Sequence, residues 1–193
     1  MTEIVSGGLL SGVMPAQKET WVLFAGVVTQ DTLRSFFTMF SNATQQGYTL
    51  VHCLFQSTGG TVSDGIALYN FFRNLPIEVR LYNVGAICSA GVIAYLGAQR
   101  RIAAENSAFM IHRTQSAPLS LTSERMSAAA NSLILDDART EAILKAETTL
   151  ATKHWETHKV ADLWFDASEA KTVGIVTEIA TFAPRKGEPI FFI

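Results

Sequence analysis

The chain has 193 residues, of which 48% are hydrophobic and 17% are charged, and its formal net charge is −2. This length suits one domain with a full hydrophobic core. The low charged fraction is typical either of a compact α/β enzyme or of a subunit whose exterior is partly covered by other subunits. The charge gives no support to binding of nucleic acid or of an anionic membrane surface.

The N-terminal residues and the cysteines bear on the compartment. Residues 1–4 contain an acidic residue and no cationic segment before an apolar stretch, unlike a secretory signal. Cys53 and Cys88 lie in apolar runs, where cysteine usually acts as a small buried hydrophobic residue, and two cysteines alone cannot form a zinc site. We therefore expect a cytoplasmic protein without a disulfide, metal or cofactor.

The first hundred residues alternate between extended and helical patterns. Strands are predicted at residues 19–26, 48–56 and 77–84, and helices at 31–45, at 61–75 and from the turn at 85–89 to about 97. This order implies right-handed crossovers and a largely parallel sheet covered by helices, which is an α/β fold.

The second half has a different rhythm. A short strand is predicted at 108–112, and residues 120–158, rich in alanine, glutamate and lysine, predict a projecting helix or helical pair. A last strand is predicted at 173–182. We expect an N-terminal segment at 1–18, one domain at 19–183 and a C-terminal tail at 184–193, which is irregular up to residue 189.

Residues 81–98 are uncharged and meet the minimum length of a membrane span. Three glycines together with Asn83 and Ser89 dilute their hydrophobicity. A strand, a tight turn and a buried helix explain the segment better, and no membrane association is expected.

Ser89 and His112 form the first candidate catalytic pair. A serine hydroxyl is a poor nucleophile at neutral pH unless an imidazole accepts its proton. The 23 positions between them are close to what one helix, a loop and a returning strand need to bring the two side chains together. Cys88 is a weaker candidate nucleophile, because neighbouring residues on such a turn face different directions.

A carboxylate that accepts from the imidazole Nδ1–H would complete a triad. Asp162, Asp166 and Glu169 are candidates by position, and spacing does not choose among them. The pair Asp136 and Asp137 lies in the helical stretch and is expected on a solvated face.

Two turns are candidate oxyanion donors. Gly59 and Gly60 end a strand and open a helix, which leaves backbone N–H groups unobstructed by side chains, and Ala90 begins another helix whose first N–H groups lack internal partners. The N–H groups of Gly60 and Ala90 would stabilise the negative charge that develops when Ser89 attacks a carbonyl. Taken alone, a Gly-Gly pair is weak evidence and favours a simple tight turn.

Other histidines and aromatic residues are expected to be structural. His154 and His158 share a helix face, but the glutamate between them lies at the wrong offset for a zinc hydrolase, so an exposed helical pair is predicted. The tryptophans and most phenylalanines are expected in the core or in subunit contacts.

Four segments resemble the proteolytic subunit of the Clp protease. They are Ser-Thr-Gly-Gly at 57–60, Gly-Ala-Ile-Cys-Ser-Ala-Gly at 85–91, Met-Ile-His at 110–112 and Asp-Leu-Trp-Phe-Asp-Ala-Ser-Glu-Ala at 162–170. The likeness extends over roughly residues 19–180. Singly these motifs are weak, but four in register are specific.

The resemblance implies a set of roles. Ser89 would be the nucleophile, His112 the general base and Asp162 the orienting acid, with the amides of Gly60 and Ala90 as oxyanion donors. It further implies the Clp/crotonase fold of stacked β-β-α units, with residues 120–158 as a handle between two heptameric rings that enclose a chamber. The substrate would be an unfolded polypeptide or peptide, supplied by an AAA+ unfoldase.

The N-terminal segment at 1–18 is poorly matched to the family, and the stretch between Ser89 and His112 is somewhat shorter than usual. Two further departures concern particular residues. The family usually has an arginine before the triad aspartate, where this chain has Ala161, and a glycine-rich strand after the histidine, where this chain begins with Arg113 and Thr114. These two residues and Gly59 are expected to contact the substrate. An inert ring subunit and a crotonase-type acyl-CoA enzyme stay open as alternatives to a serine endopeptidase.

Overall fold

The computed structural model describes residues 17–116 and 122–193. The elements in chain order are β1 (Glu19–Ala25), α1 (Gln30–Gln45), β2 (Leu50–Gln56), α2 (Val62–Asn74), β3 (Glu78–Asn83), β4 (Ala86–Cys88), α3 (Ala90–Tyr95), β5 (Arg100–Ala103), β6 (Ala108–Ile111), α4 (Ser123–Glu147), α5 (Thr152–His158), β7 (Leu163–Asp166), α6 (Ala167–Thr172), β8 (Glu178–Ile179) and β9 (Ile190–Phe192). The N-terminal segment predicted at 1–18 lies almost wholly outside the described residues.

The main sheet has six strands in the order β8-β5-β3-β2-β1-β9, and every neighbouring pair is parallel. Parallel neighbours need crossover connections, which α1 and α2 supply between β1, β2 and β3. The sequence-based prediction of an α/β fold with a largely parallel sheet is therefore confirmed. The predicted bounds of these first strands and helices differ from the observed ones by one or two residues.

A second sheet of three short strands has the order β4-β6-β7, with β4 parallel and β7 antiparallel to β6. The turn predicted at 85–89 therefore contains a strand. The last strand predicted at 173–182 is wrong in extent, because only β8 is extended there. Strands of two to four residues carry too little alternation for a sequence pattern to reveal.

Aromatic rings fill the space between the main sheet and its helices. Phe24 and Phe55 of the sheet contact Phe36 of α1, which packs edge-on against Phe72 of α2. All four are buried, as expected for the phenylalanines. Trp164, in contrast, is 56% exposed.

The described part of the predicted handle is a helical pair. Helix α4 has 25 residues, which corresponds to roughly 37 Å, and only Asp137 and Leu144 in it are buried. It contacts the main body at α2 and α3, and α5 follows after a short connection. Across the described ranges, none of the helices is long and apolar enough to cross a membrane.

Residues 178–193, which we call the C-terminal clasp, reach both edges of the main sheet. Strand β8 pairs with β5 at one edge, and β9 pairs with β1 at the other. Between them, Phe182 packs edge-on against Trp21 and Tyr82, and Arg185 donates to Glu19 over 2.8 Å. The part of the tail at 184–189 has no helix or strand, as expected, and the tail then ends in β9.

Candidate active site

Ser89 occupies a strained junction between β4 and α3. Its φ of 55° and ψ of −127° make it the one non-glycine residue with positive φ in the described ranges. Its N–H donates to the Met110 carbonyl over 2.7 Å, which ties the junction to β6. Strain of this kind costs about 1–3 kcal/mol and persists where surrounding contacts enforce it, often at functional sites.

The glycine turn lies directly against Ser89. A Cβ on Gly59 would stand 2.7 Å from the Ser89 Cβ, and one on Gly60 would stand 2.0 Å from the Val28 carbonyl oxygen. Two backbone hydrogen bonds hold this turn, one from the Val28 N–H to the Gly59 carbonyl and one from the Thr61 N–H to the Val28 carbonyl. Neither of them uses the Gly60 N–H. The two backbone segments predicted to supply oxyanion donors are therefore brought together.

His112 follows β6 and shares a cavity with Ser89. That cavity measures about 20 Å³ and is also lined by Ala90, Ile111 and Thr114. The His112 Nδ1 lies 2.6 Å from the Arg113 carbonyl oxygen, and since a carbonyl only accepts, the proton lies on Nδ1. This tautomer leaves Nε2 free to accept a proton.

The three candidate carboxylates have different surroundings. Asp166 caps α6 and forms a capping box with Glu169, whose N–H donates to Asp166 over 2.7 Å. Asp162 is exposed, and its charge adds to burial in raising the pKa of the Cys88 thiol. Of the three, Asp162 alone is not engaged in a cap, but no hydrogen bond joins it to His112 in the described structure.

Asp137 corrects a sequence-based expectation. It is 8% exposed rather than on a solvated face, and it accepts from the Arg113 Nε and the Thr114 N–H, both over 2.7 Å. Burial acts to raise the pKa of Asp137, but these hydrogen bonds outweigh burial and lower that pKa below its usual value. Arg113, expected to contact substrate, is therefore occupied by an internal ion pair.

His158 corrects a second expectation. It is 3% exposed, unlike the exposed pair predicted for His154 and His158. Burial lowers the pKa of His158, and the negative charges of Glu141 and Asp137 oppose this shift without cancelling it. Its Nδ1 has no hydrogen-bond partner among the described residues. The sequence offered one signal for His158, its helical spacing from His154, but no signal for its burial.

An open groove adjoins the small cavity. It has a volume of about 300 Å³ and is lined by Gly60, Thr61, Thr114 and Gln115 on one side and by residues of α4 on the other. The 20 Å³ cavity holds about one water molecule, whereas the groove has room for a short stretch of peptide. Thr114 lines both spaces.

Neither cysteine has the setting of a nucleophile. Cys53 and Cys88 are both buried, as expected, and both are free thiols. Burial raises the pKa of both thiols, which favours the protonated, unreactive form at neutral pH. Cys88 therefore gains no support as an alternative to Ser89.

Comparisons with known proteins agree with this architecture. A sequence model of the family described as Clp protease matches residues 15–182. The ATP-dependent Clp protease proteolytic subunit 2 of Treponema pallidum is 24% identical over 82% of this chain and 80% of its own length. The ATP-dependent Clp protease proteolytic subunit 3 of Rhodococcus jostii is 30% identical over 69% of this chain and 68% of its own.

The fold is shared with a solved structure, that of a point mutant of ClpP1 from Listeria monocytogenes. It superposes with a TM-score of 0.73 and 22% identity, over 85% of this chain and 91% of that one. Because the family model spans most of the sequence, the resemblance stated from the four motifs is confirmed. The chain belongs to the Clp protease family.

Proposed function

We propose that this protein is a serine endopeptidase in which Ser89, His112 and Asp162 form the catalytic triad. Ser89 attacks the peptide carbonyl while its proton moves to His112 Nε2, and the N–H groups of Gly60 and Ala90 bind the oxyanion. His112 then protonates the leaving amine, and a water that gives its proton to His112 hydrolyses the acyl-enzyme. Neither step requires a metal or cofactor.

The observation that carries this proposal is the junction at Ser89. A strained serine at a helix start, packed against Gly59 and sharing a cavity with His112, costs stability and has no evident structural benefit. The His112 tautomer supports the assignment, since its Nε2 is the nitrogen left to accept the serine proton. Membership of the Clp protease family favours peptide hydrolysis over acyl-CoA chemistry.

We further propose assembly into heptameric rings, two of which stack through α4. Met126, Ile134 and Leu135 on this helix are each about 60% exposed, a large apolar surface for one helix of a monomer. The chamber would admit unfolded polypeptide in the cytoplasm, with an AAA+ unfoldase as the partner. A native mass near 14 chains, reduced to one ring by Ile134→Glu, is the expected result.

One observation favours a second candidate, an inert ring subunit. The Nδ1 of His112 is bonded to a backbone carbonyl rather than to a carboxylate. A carbonyl orients the ring but stabilises the imidazolium less than a negative charge does. In the active-enzyme proposal, Asp162 has to approach His112 when substrate or the neighbouring ring is bound.

The deciding experiment uses a fluorophosphonate probe, which reacts with an activated serine. We expect one adduct, on Ser89 by peptide mapping, together with cleavage of an unstructured fluorogenic peptide, and neither in Ser89→Ala. Gln115→Ala, which alters the adjoining groove but no proposed catalytic group, should still be labelled. An unlabelled wild-type protein of ring mass would establish the inert subunit instead.

A further inference from the structure

The backbone that follows His112 is held by a side chain of α4. Asp137 accepts from the Thr114 N–H with one carboxylate oxygen and from the Arg113 guanidinium with the other. We call Asp137 and its bonds to Arg113 and Thr114 the base clamp.

The base clamp determines where the Arg113 carbonyl points. Asp137 binds the Arg113 side chain and the Thr114 N–H, and that N–H belongs to the same peptide group as the Arg113 carbonyl. This carbonyl is the acceptor for His112 Nδ1–H. Fixing the peptide plane therefore fixes both the orientation and the tautomer of the imidazole.

We propose that Asp137 is a positioning residue for His112, acting through the Arg113–Thr114 peptide group rather than by direct contact. The inference rests on the proposed function, because it assigns a structural basis to the action of its general base. In a triad the carboxylate both orients the imidazole and offsets its positive charge. Here Asp137 performs the first task, which leaves the second to Asp162.

The environment of Asp137 supports a fixed geometry. The residue is 8% exposed, and both oxygens are used, so its rotamer is determined by contacts on either side. The charged groups that face the clamp are Arg113 on the β6 exit segment, His158 on α5 and Glu141 one turn along α4. Glu141 pairs with Lys145 and has no hydrogen bond with residues 112–114 in the described structure.

The first test compares Asp137→Asn with the matched control Glu141→Gln. Asparagine keeps an acceptor for one donor but loses the charge and the paired acceptor oxygens. We expect kcat for a fluorogenic peptide to fall roughly 10-fold to 100-fold with KM within about twofold, because a base displaced by an ångström loses most of its effect. Glu141→Gln should keep wild-type kcat.

The second test does not depend on activity. The chain contains four histidines, so ¹⁵N-histidine labelling gives few imidazole signals in magic-angle-spinning NMR of the sedimented protein. The signal that disappears in His112→Gln belongs to His112. We expect Nδ1–H at about pH 7.5 in the wild type and a mixture of tautomers in Asp137→Asn. If the wild-type protein is inactive but Asp137→Asn still changes the His112 tautomer, the proposed function is wrong and the clamp is supported.

Arg113→Met provides a milder variant if Asp137→Asn does not fold, because it removes one of the two donors to Asp137 and keeps the Thr114 N–H bond. It should change the His112 tautomer in the same direction and by a smaller amount. An Asp137→Asn protein with wild-type kcat and an unchanged His112 tautomer, or an Arg113→Met protein with an unchanged tautomer when it alone folds, overturns the inference.

Discussion

The two halves of the candidate site are built differently. Around Ser89, backbone contacts leave no free space, since a methyl group on Gly59 or Gly60 would overlap neighbouring atoms and the Ser89 N–H is tied to β6. Around His112, the side chain of Asp137 on α4 holds a segment that has left its strand, and Asp162 is exposed.

The difference indicates which half is able to change. Backbone packing has one low-energy arrangement, whereas side-chain bonds to a short loop exchange for water at modest cost. The proposed nucleophile and oxyanion donors are therefore preformed, and adjustment on substrate binding is expected to occur at His112 and Asp162.

The largest effect is expected for Gly60→Ala, which alters the backbone-packed half of the site around Ser89. The new Cβ would stand 2.0 Å from the Val28 oxygen at a φ of 149°, so both overlap and backbone strain arise. We expect a loss of roughly 3 kcal/mol or more in the free energy of unfolding, measured by urea denaturation, together with loss of Ser89 labelling. Gly47→Ala is the control, since φ is 76° but no atom lies within 4 Å, and it should cost about 1–2 kcal/mol.

A smaller effect is expected in the His112 half. Asp137→Asn should lower the free energy of unfolding by roughly 1–3 kcal/mol, because a charge-assisted bond to a buried acceptor is lost. Asp162→Asn should change it by less than about 0.5 kcal/mol, since that carboxylate is exposed. If urea denaturation gives the same loss in free energy of unfolding for both variants, Asp137 does not hold the His112 segment as proposed.

Ser89→Gly should stabilise the rigid half. The backbone angles of Ser89 match those that favour glycine at the first central position of a type II′ turn. Relief of strain is offset in part by the greater freedom of glycine in the unfolded chain. We therefore expect the free energy of unfolding, measured by calorimetry, to be about 1 kcal/mol higher in Ser89→Gly than in Ser89→Ala. A less stable glycine variant would show that the junction is not strained.

The mildest perturbation is a change in pH. Burial lowers the pKa of His158 and of His52 below 6.5, so the unfolded chain binds more protons in this range. Their stabilisation is complete above pH 6.5 and is lost as the pH falls from there to the folded-state pKa. The melting temperature should fall between about pH 7 and pH 5, and less steeply in His158→Phe. If the melting temperatures of the wild type and of His158→Phe fall equally with pH, His158 does not contribute to the pH dependence of stability.

Much of the fold could be predicted from the sequence because its first half repeats a regular pattern. Strands β1 to β3 and helices α1 and α2 are long enough for their periodicity to appear. Strands β4, β7 and β9 have three or four residues each, and their pairing is decided by tertiary contacts rather than by local preference.

The site could be predicted in part, through residues whose chemistry is unusual at their position. Ser89 and the pair Gly59 and Gly60 stand where a strand meets a helix, which a local pattern reveals. Asp137 resembles any polar residue of a charged helix, and its burial depends on a segment 23 residues earlier in the chain. Long-range contacts of this kind leave no periodic signal.

The C-terminal clasp has a consequence for how the molecule is handled. With β8 on β5 and β9 on β1, the same short segment covers the backbone donors and acceptors at both borders of the sheet. Deleting residues 184–193 would leave β1 as a bare edge strand, a template on which another chain can add by strand pairing. We therefore expect the truncated protein to aggregate in an ordered, β-rich form rather than only to lose thermodynamic stability.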